Sequence, residues 1–183
     1  MPKPNETIGF DPDHFEDQEG NIHRRPTDAQ VHIRLCGYAV LVRPGSAEGS
    51  LPQILVTRPR WKEDRREFPG GGVESHEPLA KGTEREVFEE LGIDIELPTV
   101  PVAASERSFV ATWTPEPVFF HAIIFIFAAR FPEGAEERLR LQAEEVAGFE
   151  WVDVGDGLPV GLHPMLVPHW PAAVREARRL GAR

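Results

Sequence analysis

Apolar residues occur in dense blocks separated by stretches rich in glycine, proline and charged residues. Residues 31–43 and 53–58 carry mainly β-branched, aromatic and aliphatic side chains, which is typical of strands. The intervening residues 44–52 contain two prolines and two glycines, a composition typical of a connection. We therefore predict two strands that pair with each other.

Three further blocks predict strands in the second half of the chain. Residues 118–131 are the most apolar segment, and their isoleucine, valine and aromatic content favours a central strand over a helix. A strand of this composition is expected to be buried on both faces. Shorter strands are predicted at residues 100–104 and 146–154.

Two segments carry helix start and stop signals. Pro78 suits a first helical position and Gly92 suits the residue just after the last, which predicts a helix of about four turns between them. Residues 171–180 begin with a proline and are followed by Gly181, which predicts a second helix. Strands on both sides of one long helix, with a second helix at the end, predict an α/β fold.

The first helix has an acidic face. Glu89 and Glu90 lie three and four residues after Glu86, so their Cβ atoms are ~5–6 Å from that of Glu86 and the charges repel. They also stand in the last turns, where the helix dipole favours cations. A solvated acidic surface is one interpretation. The other is a site for a hard divalent cation, for which carboxylates are the preferred ligands.

The spacing of residues 70–93, GGGVESHEPLAKGTEREVFEELGI, resembles the Nudix box. Its fixed positions are occupied by Gly71, Glu77, Arg85, Glu86, Val87, Glu89, Glu90, Gly92 and Ile93. The resemblance implies a Nudix-type α/β/α sandwich, with a mixed β-sheet between helices. It also implies a hydrolase that cleaves a nucleoside diphosphate linked to another group. A non-catalytic Nudix-type binding or sensor module is the alternative, although such modules usually lose a box glutamate.

The same resemblance implies a set of metal ligands. Glu86 and Glu90 would bind Mg²⁺, or Mn²⁺, directly, and Glu89 would be a third ligand or a bridging residue. A backbone carbonyl of the glycine turn, at Gly70 or Gly71, would complete the shell.

A second group of residues would support this site. Arg85 would orient the glutamates by ion pairing, and Glu77 would support the turn or join a second metal's outer shell. Glu145, or less well Glu144, matches a carboxylate that reaches the site from a later strand. The general base stays open between Glu145, Glu86 and Glu89.

Other residues are candidates for substrate binding. Arg58 and Arg66 lie close to the glycines in sequence and could bond phosphate oxygens, or else belong to a solvated loop with Glu63 and Asp64. Phe109 and Trp113 are expected to stack on a base, with Phe119 and Trp61 as further choices. Markers for ADP-ribose, dinucleoside polyphosphates and coenzyme A are missing, which leaves a nucleoside triphosphate or a nucleotide-sugar-like substrate.

Composition narrows the remaining choices. The 183 residues carry a formal net charge of −10, which disfavours nucleic acid as a partner. The single cysteine, Cys36, excludes a disulfide within the chain, and we expect a cytoplasmic protein without membrane contact. Residues 1–28 are expected to be an N-terminal arm, across the domain or across a partner in a homodimer, or a partly ordered terminus. Residues 29–183 are expected to form the Nudix domain.

Overall fold

A computed structural model describes residues 13–17, 19–45, 47 and 49–182. Its strands are β1 His14–Glu16, β2 Ile22–Arg24, β3 Val31–Arg43, β4 Gln53–Pro59, β5 Gly70–Val73, β6 Ala103–Ala111, β7 Val118–Arg130 and β8 Val146–Asp153. Its α-helices are α1 Leu79–Leu91 and α2 Trp170–Gly181, and two short 3-10 helices cover Glu136–Arg138 and Val167–His169. No helix in the described part of the chain is long and apolar enough to span a membrane.

The described residues form two compact units. One comprises residues 13–34 and Glu106–Ala122, and the other comprises Leu35–Ser105 and 123–182. In the second unit the strand order is β7-β3-β4-β8, and β5 pairs with β3. The β3–β4, β3–β5 and β4–β8 pairs are antiparallel.

The sheet of the second unit lies between the two α-helices. Alternate residues of β3 face opposite sides, because side chains in a strand alternate. Tyr38, Val40 and Val42 belong to the core that contains Trp170, Ala173 and Ala177 of α2. Ala39 and Leu41 belong to the core that contains Ala80, Val87 and Leu91 of α1. The expected α/β/α sandwich with a mixed sheet is confirmed.

Most predicted elements are present, with two corrections. The third predicted strand is displaced: β6 begins at Ala103 rather than at residue 100. Val100 is exposed, and Pro101 has no N–H to donate to a strand ladder, so pairing begins after it. The expectation that residues 118–131 are buried on both faces is also too broad, because consecutive residues of β7 are buried only at 126–129.

The first unit contains a hairpin. Strands β1 and β2 pair antiparallel with His14 opposite Arg24, and β1 pairs in parallel with β6 at Glu16 and Phe109. Phe15 packs edge-on against Phe119, with ring centroids 5.1 Å apart, in a small core that also contains Val110. Part of the expected N-terminal arm, residues 1–12 and 18, lies outside the described residues, and the role of the arm stays a prediction.

Candidate active site

The three glycines before α1 form a strand rather than the expected turn. Strand β5 pairs with β3, with Gly70 opposite Tyr38 and Gly71 opposite Gly37. Gly70 has a φ of 136°, and a Cβ there would lie 2.2 Å from the Gly37 carbonyl oxygen. A side chain is therefore excluded at Gly70 by both backbone conformation and space. The three glycines alone are typical of a turn, which is why the sequence predicts one. Their close contact with β3 involves a segment distant in sequence, so the glycines by themselves give no sign of it.

Glu90 is fixed against the backbone of β5. The Gly70 N–H donates to Glu90 Oε2 over 3.2 Å. Burial raises the pKa of Glu90 well above its ordinary value, and the charges of Glu67, Glu86 and Glu145 raise it further. The side chain thus lies in an environment that disfavours its own negative charge.

Glu86 lies beside the same strand. A Cβ on Gly71 would be 2.3 Å from Glu86 Oε2, so this carboxylate approaches the backbone where a glycine leaves room. Burial raises the pKa of Glu86; Arg85 lowers it, while Glu89 and Glu145 raise it. Glu145 therefore acts electrostatically on both Glu86 and Glu90. Glu67, Glu86, Glu90 and Glu145 are together called the carboxylate cluster below.

Arg85 connects the start and the end of the box. Its Nη2 donates to Glu77 Oε1 over 2.8 Å and to the Gly72 carbonyl over 3.1 Å. Its Nη1 donates to Glu86 Oε1 over 2.7 Å and to Glu89 Oε2 over 3.3 Å. These ion pairs, first with Glu77 and then with Glu86, raise the pKa of Arg85. The guanidinium makes the contacts that an orienting role requires.

Glu77 has a local structural environment. Its Oε1 accepts the Glu74 N–H over 2.8 Å. The bond from Arg85 lowers the pKa of Glu77 most, and the Glu74 N–H lowers it further. Glu77 thereby closes the loop that leads into α1, and its role at the site stays a prediction.

Glu67 is a member of the cluster that the sequence reasoning did not select. Burial raises its pKa to about 7, although Arg65 opposes the shift. Its Oε1 is 4.0 Å from His163 Nε2. The sequence gives one local indication that Glu67 belongs to the site, its position three residues before Gly70. A single glutamate next to a charged loop is otherwise typical of a solvent-exposed residue. Its burial follows from pairing between residues 57 and 67, which are far apart in sequence.

Arg58 and Arg66 are the two arginines expected to bind phosphate. Arg66 Nε donates to Glu150 Oε1 over 2.6 Å, and Arg66 Nη1 donates to the Asp64 carbonyl over 2.9 Å. The Nε of Arg58 is buried without a hydrogen-bond partner among the described residues, and a Cβ on Gly148 would lie 2.4 Å from its Nη2. Neither of these two Arg66 bonds reaches the carboxylate cluster. Phosphate binding by Arg58 and Arg66 stays a prediction.

Phe109 and Trp113, the expected base-stacking residues, belong to the first unit. Their ring centroids are 5.7 Å apart, and Phe109 also stacks on Phe120 at 6.4 Å. Phe119 is buried in the small core of that unit, whereas Trp61 lies in the second unit and is 51% exposed.

The carboxylate cluster fits a hard divalent cation by its donor chemistry. No three acidic, histidine or cysteine side chains within the described residues converge closely enough to share one ion. However, burial and, beyond it, the charge of Glu145 raise the pKa of both Glu86 and Glu90, so negative charge there is not fully balanced by nearby cations. Oxygen ligands with excess negative charge are what Mg²⁺ and Mn²⁺ prefer.

Comparison with known proteins identifies relatives of this chain. A curated relative named 8-oxo-dGTP diphosphatase, from Buchnera aphidicola, is 41% identical over 44 residues, which are 24% of this chain and 36% of the relative. The match thus spans about a third of that protein's length.

Solved structures share the fold over most of the chain. A MutT NUDIX hydrolase from Burkholderia pseudomallei has a TM-score of 0.54 at 22% identity, covering 81% of this chain and 98% of the other. The NUDIX domain of Shewanella oneidensis NrtR, solved with ADP ribose, has a TM-score of 0.60 at 14% identity, covering 84% and 94%. The family model described as NUDIX domain matches residues 37–178, and the chain therefore belongs to the NUDIX domain family.

Proposed function

We propose that this chain is a metal-dependent hydrolase that cleaves a phosphoanhydride bond of a nucleotide. The observation that carries the proposal is the carboxylate cluster. Glu90 is bonded to the Gly70 N–H, and it shares an electrostatic environment with Glu86, one helical turn away, and with Glu145, which comes from a distant part of the chain. A protein gains no stability from collecting like charges in a partly buried place, so the cluster indicates a function.

The ligands of the metal are proposed from the same residues. Glu86 and Glu90 would hold Mg²⁺ or Mn²⁺, with Glu89, Glu145 and the Gly71 carbonyl as further ligands. When bound, such an ion neutralises phosphate charge and lowers the pKa of coordinated water.

The chain's own residues then have distinct tasks. Arg85 holds Glu86 and Glu89 in place, a role that its bonds to both carboxylates support. A carboxylate at the site accepts a proton from the water that attacks phosphorus. The new P–O bond forms as the bridging P–O bond breaks, and the leaving phosphate departs with the bond's electron pair. Glu145, Glu86 and Glu89 are the candidates for the base.

The substrate is proposed to be a nucleoside triphosphate or a nucleotide-sugar-like compound. The Buchnera relative is named for 8-oxo-dGTP, a nucleoside triphosphate, which supports a nucleotide substrate. The 22% and 14% identities of the structural neighbours support the fold alone.

The test is a panel of nucleotides with product identification. ATP, dGTP, 8-oxo-dGTP, ADP-ribose and a nucleotide sugar would be incubated with the protein in Mg²⁺, in Mn²⁺ and in EDTA. We expect cleavage of at least one compound, dependent on the metal and abolished by EDTA.

Matched variants locate the activity. Glu86→Gln and Glu90→Gln should each lower kcat by at least about 10²-fold, since each removes a charged ligand. The control is Glu137→Gln, which removes an exposed carboxylate outside the cluster and should leave turnover unchanged. Wild-type turnover in both cluster variants at saturating Mg²⁺ would show that the metal assignment is wrong. Tight nucleotide binding without hydrolysis would favour the binding or sensor module.

A further inference from the structure

Trp61 is a half-exposed aromatic residue in the loop between β4 and β5, in the same unit as the carboxylate cluster. Half of its surface is open to solvent, at 51% exposure. Trp is a large, rigid apolar ring, and its exposed face gives a ligand an apolar surface to cover. Two separate connections place it beside the cluster.

The first connection is through the backbone. The Arg60 N–H donates to the Glu145 carbonyl over 2.6 Å, and Arg60 Nε donates to the Ala143 carbonyl over 3.1 Å. The residue before Trp61 is therefore bonded directly to the segment that supplies Glu145 to the cluster.

The second connection is through side chains. The Trp61 ring contacts the His163 ring in a T-shaped arrangement, with centroids 6.4 Å apart. His163 Nε2 in turn lies 4.0 Å from Glu67 Oε1. Glu67 belongs to the cluster, so the ring stands at its rim on this side as well.

Arg65 fixes the orientation of the ring. Its guanidinium carbon lies 5.8 Å from the Trp61 ring centroid, within the range of a cation–π contact. With His163 and Arg65 both against it, the ring is restrained before any ligand arrives, which reduces the entropy that binding would cost.

We propose that Trp61 is a specificity-determining residue that stacks on the nucleobase of the nucleotide cleaved at the carboxylate cluster. The inference rests on the proposed function and selects Trp61 from the four aromatic residues that the sequence analysis left as candidates, ahead of Phe109 and Trp113. Every base has a π face, so Trp61 would select nucleotides over base-free polyphosphates rather than one base over another.

Kinetics of Trp61 variants test this role. Trp61→Ala and Trp61→Phe would be compared with wild type on ATP, dGTP and inorganic tripolyphosphate in Mg²⁺. Loss of base stacking should raise KM for ATP and dGTP by about 5-fold to about 150-fold in Trp61→Ala. Turnover of tripolyphosphate should not change, and Trp61→Phe should recover most of the loss. Val100→Ala, which trims a side chain that is 70% exposed in the same unit, is the control.

A binding measurement removes the dependence on turnover. Quenching of tryptophan fluorescence by the non-hydrolysed analogue α,β-methylene-ADP in Mg²⁺ should be present in wild type and lost in Trp61→Phe. Quenching that is lost in Trp113→Phe instead would overturn the proposal. Thermal unfolding of each variant shows whether it folds, and Trp61→Phe keeps the test valid if Trp61→Ala does not.

The two hypotheses fail in different ways. Absence of hydrolysis in wild type would contradict the proposed function, while the quenching assay would still test Trp61. Normal hydrolysis, with KM unchanged in Trp61→Ala and quenching unchanged in Trp61→Phe, would contradict the role of Trp61 alone.

Discussion

Gly71 of β5 lies so close to Glu86 of α1 that a side chain on Gly71 would collide with the Glu86 carboxylate. A Cβ built on Gly71 lies 2.3 Å from Glu86 Oε2 and 3.0 Å from the carboxylate carbon. Gly71 is not among the glycines with positive φ, so its backbone conformation would accept an alanine. The requirement for glycine at this position comes from the neighbouring glutamate.

Gly71→Ala is therefore expected to damage the site more than the fold. The new methyl group must displace the Glu86 carboxylate, and we expect kcat/KM to fall by at least about 10-fold, a loss of about 1.4 kcal/mol in transition-state stabilisation. Steady-state kinetics with the panel's best substrate would measure it.

Gly134→Ala is the matched control for Gly71→Ala. Gly134 has a φ of 68° with nothing within 4 Å of an added Cβ, so alanine there meets backbone strain but no neighbour. It should cost roughly 1–2 kcal/mol of stability and no activity. Equal activity losses in the two variants would show that the Gly71 effect is not specific to Glu86.

Arg85→Lys tests whether the guanidinium orients the cluster. Lysine keeps the charge but has no planar fork, so it cannot serve Glu77, Glu86 and the Gly72 carbonyl together. We expect kcat/KM to fall by roughly 10- to 100-fold, the usual range for residues that orient metal ligands. Mg²⁺ affinity, followed by titration of activity, should weaken in parallel.

A surface substitution provides the comparison for Arg85→Lys. Arg175→Lys changes an exposed arginine whose Nε lies 3.5 Å from Glu176 Oε1, and it should leave both kinetics and Mg²⁺ affinity intact. If Arg85→Lys behaved like Arg175→Lys, the charge alone would suffice and the fork geometry would have no role.

The sequence predicts the end of α1 and places its start one residue early, because both termini carry local signals. Pro78 precedes the first helical residue, and Gly92 follows the last with a left-handed φ of 67°. Both effects act within a few residues of the chain. Strand β3 is likewise predicted with its bounds, because its β-branched and aromatic content persists over its whole length.

The sequence does not predict which loop residues join the cluster. Glu67 is selected by its burial, which depends on the pairing of residues 57 and 67. Arg66 is taken up by Glu150, 84 positions away. Both depend on contacts between distant segments, which local composition does not encode. Glu145 can be predicted from the sequence, because the family pattern indicates it although local physics does not.

Gly37 of β3 lies directly against Thr83 of α1. A Cβ on Gly37 would lie 1.9 Å from Thr83 Oγ1 and 3.1 Å from Thr83 Cβ, and Thr83 is fully buried. Gly37→Ala should therefore lower the free energy of unfolding by roughly 1–3 kcal/mol, the usual cost of overpacking. Urea denaturation would measure it.

A double-mutant cycle assigns that cost to the pair. Thr83→Ala removes Oγ1 together with its 2.8 Å bond to the Leu79 carbonyl, which should cost about 1 kcal/mol alone. Combined with Gly37→Ala, it should recover part of the overpacking cost, because the atom at 1.9 Å is gone. Strict additivity of the two changes would show that the clash is relieved elsewhere.

Asp17 should make the hairpin of the first unit sensitive to acid. Burial by itself would raise the pKa of Asp17. The bonds from His23, from Asn21 and from the Glu19 N–H lower it by more, so the folded value lies below the ordinary one. The stabilisation is therefore complete above the unfolded pKa of ~3.9 and is lost as pH falls toward the folded value.

Asp17→Asn removes that charge while keeping the size of the side chain. Hydrogen bonds to a charged group contribute more than neutral ones, so the variant should be less stable than wild type by about 1–2 kcal/mol at pH 7. The difference should shrink below pH ~4, where Asp17 of the unfolded chain is already protonated. Amide hydrogen exchange of β1 and β2 at pH 7 and pH 3 would follow the hairpin directly. A difference between variant and wild type that stays constant over this range would mean that the charge of Asp17 does not stabilise the hairpin.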